Sequence, residues 1–338
     1  MKASLSKLRS IKPQAIPVAG ELVRFSFLAG EPGLPVVATP LHEGVVLGEW
    51  LARHQELVDD QLLKHGGVLF RGFEVNTSQA FHQVVHAAGG QLLDYVERSS
   101  PRSQVTDKVY TSTDHPADQR ILFHNELAYS GRWPRALFFG CMQPAAVGGE
   151  TPIADSREVL RRLSPDTRRR FEERGVMYER YLGGGLGLHW RDVFQTEDRS
   201  RVEHYCADNG LTFEWEGECL RTRSVRPAIR THPRTGEQVW FNHGYFFNLH
   251  SIPAELRASL HTAVNPRELP FNTYYGDGSE IEPETIREIA GIYDAVGVTF
   301  PWRRGDVLYI DNMLTAHSRN SFQGERTILV SMSDLLAG

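Results

Sequence analysis

Apolar residues recur at three- and four-residue intervals through EWLARHQELVDDQLLKHGG (49–67). That is the spacing of one helix face, and the stretch ends in a glycine stop. GVLFRGF (67–73) then reads as a short β-rich run, and NTSQAFHQVVHAAGG (76–90) returns to helical spacing between a capping signal and terminal glycines. From about residue 119 the pattern turns strand-like: RILFHNEL, RALFFGCM and GETPIAD follow one another, separated by proline and glycine. Helices are predicted near 156–163, 165–174 and 199–207, after IPAEL, and over EPETIREIAGIYDAVG, with β-like runs through VRPAIRTHPRTGEQVWFNH. The chain closes with GDVLYIDN and RTILVSMSD, two predicted strands joined by a loop that holds His317. Strand clusters at both ends with helices between them predict an α+β fold. Its antiparallel β core is paired non-locally, as in jelly rolls, and decorated by helices. No linker or repeat divides the chain. One domain over 1–338 is expected, with about 1–30 as a peripheral N-terminal extension.

Composition narrows the functional classes. A hydrophobic content of 41% and a charged content of 23% are ordinary for a globular protein with a packed core. A net charge of −5 gives no basic excess of the kind that nucleic-acid and membrane-surface partners call for. The N-terminus has basic residues but no continuous apolar h-region, and no apolar run approaches transmembrane length. Cys141, Cys206 and Cys219 lack CxxC spacing, which argues against a disulfide framework and a cysteine zinc site. A reducing, cytoplasmic setting is expected.

The chemistry concentrates in ILFHNELAYS (121–130). Read as a strand, it puts His124 and Glu126 at i and i+2, aimed to one face of an otherwise apolar segment. A buried carboxylate is costly unless paired or coordinated. A His–Glu hydrogen bond would satisfy both groups, and so would a metal. His317, far downstream in DNMLTAHSRN, tips the balance: two histidines and one carboxylate are the ligand set of non-haem Fe(II) oxygenases. In RTILVSM, Arg326 shares a face with Ile328, Val330 and Met332. An arginine on an inward face has a partner, either an internal acid or the carboxylate of a bound molecule.

HNE, GGETPIADSR, GDVLYIDN and AHSRNSFQGERTILVSM occur in order after an early GGVLFRGF. With these motifs the chain resembles the Fe(II)/2-oxoglutarate dioxygenases of the TauD/TfdA group, the taurine dioxygenase and clavaminate synthase-like enzymes. The similarity runs from about residue 65 to the C-terminus. FHNELAYS and WPRALFFGCMQPAAVGGETPIADSR are further similar to the branch containing SyrP-like hydroxylases of amino acids. The resemblance implies a double-stranded β-helix, with His124, Glu126 and His317 in the metal-ligand positions. It implies Thr151 and Arg326 as the partners of 2-oxoglutarate, with dioxygen as the second cosubstrate. Many members carry aspartate where this chain has Glu126, and the clavaminate synthase-like branch accepts glutamate. In related halogenases a small residue replaces the carboxylate, so Glu126 disfavours halogenation. Comparable loops in these enzymes line the substrate pocket, which makes Arg98, Asn242 and His243 candidate substrate contacts.

The expected reaction is oxidation of an unactivated C–H bond of an amino acid or a derivative of one, free or tethered to a carrier protein, in specialised metabolism. Hydroxylation is the default outcome, with desaturation or ring closure as variants. Two readings from other classes compete. A zinc hydrolase would carry HExxH on a helix, and no such motif occurs. A non-catalytic binding relative would lack a ligand or the arginine, and neither is missing. GGGLGL (183–188) lacks nucleotide-loop spacing and reads as a flexible loop, with His189 as a loop residue.

Overall fold

The computed structural model describes residues 22–28, 33–93, 104–106, 108–111, 115–257, 265 and 268–338. The helix expected after IPAEL falls partly outside them. The chain begins with the antiparallel pair β1 (Val23–Phe27) and β2 (Val36–Pro40). The periodic stretch that follows makes two helices instead of one, α1 (Leu47–Arg53) and α2 (Gln55–His65). The break is at His54, whose Nδ1 bonds the Trp50 carbonyl at 2.7 Å and whose ring stacks on that indole. A side chain on that carbonyl displaces the helical amide, and the His54 amide turns to Leu51 O. Helix α2 stops at Gly66, at φ +76° with Thr315 Oγ1 only 2.5 Å from where a Cβ would sit.

Next come β3 (Gly67–Phe70) and α3 (Ser78–Ala87), the latter capped by Thr77 Oγ1 accepting from the Ala80 amide. Strands β4 (Gln104–Thr106), β5 (Val109–Thr111), β6 (Ile121–His124), β7 (Arg132–Gln143), β8 (Val147–Gly148) and β9 (Ile153–Asp155) follow. The Asp155 side chain caps α4 (Ser156–Arg162), and α5 (Pro165–Arg174) opens with its proline. The middle of the chain carries β10 (Val176–Leu182), α6 (Trp190–Phe194), α7 (Arg199–Asp208), β11 (Thr212–Glu216) and β12 (Cys219–Arg226). It continues through β13 (Ile229–Thr231), β14 (Gln238–Trp240), β15 (Phe271–Tyr275) and α8 (Pro283–Val296). The last elements are β16 (Val307–Asp311), β17 (Thr315–Arg319), β18 (Phe322–Gln323) and β19 (Thr327–Ala337).

The eight-stranded sheet runs β1-β2-β3-β16-β7-β19-β5-β4, antiparallel except where β2 meets β3. Its central strand β7 alternates. Phe138 packs with Trp50, Leu62 and Phe81 on the helical side, while Leu137, Phe139 and Cys141 join Ile153 and Trp302 on the other. Burying each large side chain of this kind contributes roughly 2 kcal/mol. On that second face lies a three-stranded sheet, β6-β17-β9, with β17 in the middle. His317 is therefore on a strand, not in the expected loop. Thr315 to Arg319 is too polar to read as a strand, yet all five residues are buried, and distant carbonyls receive two of their side chains: Thr315 Oγ1 donates to Gly66 O and Arg319 Nη1 to His115 O. A separate four-stranded sheet runs β11-β12-β10-β15. No helix among the described residues is long and apolar enough to cross a membrane.

Candidate metal centre

Register brings the two histidines together. In the antiparallel pairing of β6 with β17, His124 lies directly opposite His317, and their ring centroids are 4.2 Å apart. Glu126 arrives differently from the sequence expectation. Strand β6 ends at His124, and Glu126 sits in the turn after it, ahead of Leu127 at φ +56°. The buried amide of Asn312 holds that turn: its Oδ1 accepts from the Glu126 amide at 2.7 Å, and its Nδ2 donates to Glu126 O and Pro134 O, each at 2.9 Å. Asn125 Nδ2 donates back to Asn312 O at 2.7 Å and to Ser156 Oγ. This clamp, and not the strand pleat, sets the Glu126 carboxylate 4.0 Å from His317 Nε2. One donor atom from each of His124, Glu126 and His317 lies within 4.8 Å of the others.

The donor chemistry fits a divalent cation. His124 Nδ1 donates to Leu122 O at 2.9 Å, which leaves its Nε2 as a lone-pair donor. Glu126 is 3% exposed, so its charge is largely removed from water. Two imidazoles and one carboxylate converging on a point suit Fe(II) in particular. Behind them, Asp311 Oδ1 accepts from the Met313 and Leu314 amides at 2.9 and 3.0 Å, and its Oδ2 faces His232 Nε2 at 3.2 Å. Asp311 thereby shapes the turn that delivers β17. Sequence reasoning missed Asn125, His232, Asp311 and Asn312. The one available signal was the polar DN pair ending an apolar strand.

A cavity of about 340 Å³ opens over these donors. Thr151, His243 and Arg326 line it. Arg326 Nε donates to Gly149 O at 2.8 Å, and its Nη2 reaches Thr151 Oγ1 at 3.5 Å. Trp302 Nε1 donates to the same hydroxyl at 3.1 Å. Burial, reinforced by Arg319, pulls the Arg326 pKa down to about 10, so an anion at this end would stabilise it. His243 Nε2 donates to Asn125 O at 2.7 Å, inside the segment between two of the metal-ligand candidates. Burial first, then His124, pushes the His243 pKa to about 3, so the ring is neutral at working pH.

Asn242 is placed otherwise than expected. It is absent from the cavity lining, with Nδ2 on Ala228 O and Oδ1 on the Gly244 amide, because its side chain braces the turn that presents His243. Arg98 lies outside the described residues. His189 caps α6, its Nδ1 accepting from the Arg191 amide.

Known proteins share this arrangement of sequence. The family model described as "Taurine catabolism dioxygenase TauD, TfdA family" matches residues 31–332. The dapdiamide synthesis protein DdaC of Enterobacter agglomerans is 35% identical over 308 residues, covering 91% of this chain and 93% of that protein. A clavaminate synthase-like protein of Arabidopsis thaliana is 33% identical over 310 residues, with 88% and 89% covered. PvcB from Pseudomonas aeruginosa shares the fold at a TM-score of 0.55 and 16% identity, covering 94% of this chain and 92% of that one. A second PvcB structure is described as an Fe, alpha-ketoglutarate dependent oxygenase from an isonitrile synthetic pathway. It gives 0.54 at 16% identity, with 95% and 96% covered. The match across nearly the whole chain, joined to the His–Glu–His cluster, makes this protein a member of the TauD/TfdA dioxygenase family.

Proposed function

We infer that the chain is an Fe(II)- and 2-oxoglutarate-dependent oxygenase acting on a C–H bond of an amino acid or an amino-acid-derived small molecule. The observation that carries this reading is a three-donor cluster within 4.8 Å at one end of a cavity whose other end holds a buried guanidinium. His124, Glu126 and His317 would hold the iron. Arg326 and Thr151 would grip the distal carboxylate of 2-oxoglutarate, the arginine with the planar fork that lysine lacks. Bound iron supplies the coupling of 2-oxoglutarate decarboxylation by dioxygen to oxidation of the substrate. The chain's own part is geometry. Asn312 and His243 fix the segment that bears two of the donors, and Phe139, packed 5.1 Å from the His317 ring, helps exclude water.

The two facing sheets are read as the halves of a double-stranded β-helix. Glu126 fills the third donor position, which favours hydroxylation over halogenation. Desaturation and ring closure differ only in where the substrate carbon is held. The roles of DdaC and PvcB, in dapdiamide and isonitrile synthesis, support a place in natural-product biosynthesis. The test is succinate release from 2-oxoglutarate with Fe(II) and with Zn(II). The parent should be active with Fe(II) alone, and His124→Ala and Glu126→Ala inactive. Equal rates in parent and variants would refute the ligand assignment.

A further inference from the structure

The segment FNHGYFFNLH (241–250) sends its polar side chains to one set of neighbours and its rings to another. Asn248, 3% exposed, donates through Nδ2 to Thr273 O and Oγ1 at 3.1 and 3.0 Å. Thr273 Oγ1 in turn donates to Gly244 O at 2.7 Å, and Asn272 Oδ1 accepts from the Leu249 amide at 3.1 Å. Asn272 and Thr273 belong to β15, so these bonds seam the turn to that strand. Phe246 and Phe247 on the turn are thereby fixed beside Phe271 at the start of β15.

The rings face the cavity. Phe246 lies 4.6 Å from the His124 ring, Phe247 lies 5.1 Å from Phe246, and Phe271 stacks on Phe247 at 4.2 Å. They form an unbroken aromatic wall that starts at a metal-ligand candidate. All three are only half-buried and line the cavity, as do Ile121 and Leu122. Apolar surface held in place and left uncovered favours an apolar partner, because no wall has to be ordered on binding. The other polar groups of the described lining are engaged or stand apart from this wall. Thr151 and Arg326 make the cosubstrate end, and His243 Nε2 is on Asn125 O. Arg319 donates to three backbone carbonyls, and Arg120, at the rim and 42% exposed, to Asp294. A polar side chain brought up to the iron would meet rings that leave its groups unpaired.

We propose that the C–H bond oxidised belongs to an apolar side chain, aromatic or branched aliphatic, laid along Phe246, Phe247 and Phe271. Phe246, against the ring of His124, is the residue that selects it. The selection acts on the side chain and is the same for a free acid and a thioester. This inference rests on the functional reading above and narrows its substrate class.

The test uses wild-type protein loaded with Fe(II) and 2-oxoglutarate without oxygen. It is titrated calorimetrically with phenylalanine, leucine, asparagine and glutamine, and with the N-acetylcysteamine thioesters of the same four. Asparagine matches leucine in shape, so that pair reads polarity alone. In whichever form binds, phenylalanine and leucine should bind at least tenfold more tightly than the two amides. Phe246→Asn should reduce that preference to under threefold, and Phe246→Leu should keep it for leucine. A preference below tenfold in the wild type, or no binding by any probe, would overturn the proposal. A preference that stays above threefold in Phe246→Asn, or is lost in Phe246→Leu, would remove Phe246 from it. Succinate release by the same wild-type preparation reads the underlying function separately. An active enzyme without apolar preference sinks this inference alone, and apolar preference without succinate sinks the function alone.

Discussion

On the four-stranded sheet arginines meet glutamates. Glu179 is held by Arg221 and Arg223 at 3.5 and 2.5 Å, and beside the sheet Glu218, in the turn between β11 and β12, by Arg191 of α6 and Arg199 of α7 at 3.0 and 2.6 Å. At the cavity the arginines meet neutral oxygens: Gly149 O and Thr151 Oγ1 for Arg326, three backbone carbonyls for Arg319. Most of the surface pairs are open to solvent, and salt screens them, so their number says little about stability. The cavity arginines are fewer and buried, and these bonds hold them at the cavity wall. The same residue type thus fastens the surface in one region and lines a cavity in the other.

Substituting one arginine in each region is the sharpest test of that contrast. Arg326→Gln should weaken 2-oxoglutarate binding by roughly 2–5 kcal/mol, the loss expected when one partner of a buried charge pair is truncated. That corresponds to about 30-fold or more in affinity, read from the KM for 2-oxoglutarate or by anaerobic titration. Arg199→Gln, on the exposed side, should leave that KM unchanged. Comparable KM changes in both variants would erase the distinction.

Next in size is the clamp behind the metal site. Asn312→Ala strands the Glu126 amide and two carbonyls that are buried with it. It should lower unfolding stability by roughly 3 kcal/mol in urea denaturation. His243→Phe is subtler, keeping an aromatic ring against Tyr129 and Phe247 but losing the bond to Asn125 O. Losses of outer hydrogen bonds to metal sites run to about 10–100-fold in affinity. Co(II) titration followed by visible absorption should show roughly a tenfold loss, and His243→Gln should recover part of it. Undiminished Co(II) binding by His243→Phe would make that histidine a packing residue only.

The sequence announced the three donors because residue type and order carry that information. HNE and the later AHSR name the groups, and the strand character of 121–124 is plain in its apolar run. It did not announce how Glu126 reaches the site. The i, i+2 argument assumed a strand through Glu126, whereas the chain turns after His124 under the hold of Asn312, a contact made across nearly two hundred residues that no local pattern encodes. β17 was taken for a loop for a related reason: four of its five side chains are polar, and distant carbonyls receive those of Thr315 and Arg319. The helix break at His54 depends on a single side chain capturing a carbonyl, which periodicity does not see. Asn242 and His243 read alike in sequence. One braces backbone and the other faces the cavity, a difference of side-chain direction alone.

The smallest effect belongs to the surface pairs, and its sign is fixed by Glu216. The hydrogen bond from Arg221 Nε, at 2.9 Å, holds the Glu216 pKa below the ordinary value of 4.5 despite the opposing effect of partial burial. A carboxylate with a depressed folded-state pKa contributes stability that is present above its unfolded pKa. That contribution is lost as pH falls through the folded value. Because the Glu216 side chain is 38% exposed, solvent screening keeps it below about 1 kcal/mol. Glu216→Gln should therefore shift the urea midpoint slightly at pH 7, and the shift should shrink as pH falls through the folded value. A deficit that does not shrink as pH falls would mean that Glu216 acts through packing, and the surface pairs would then resemble the cavity more than the comparison allows.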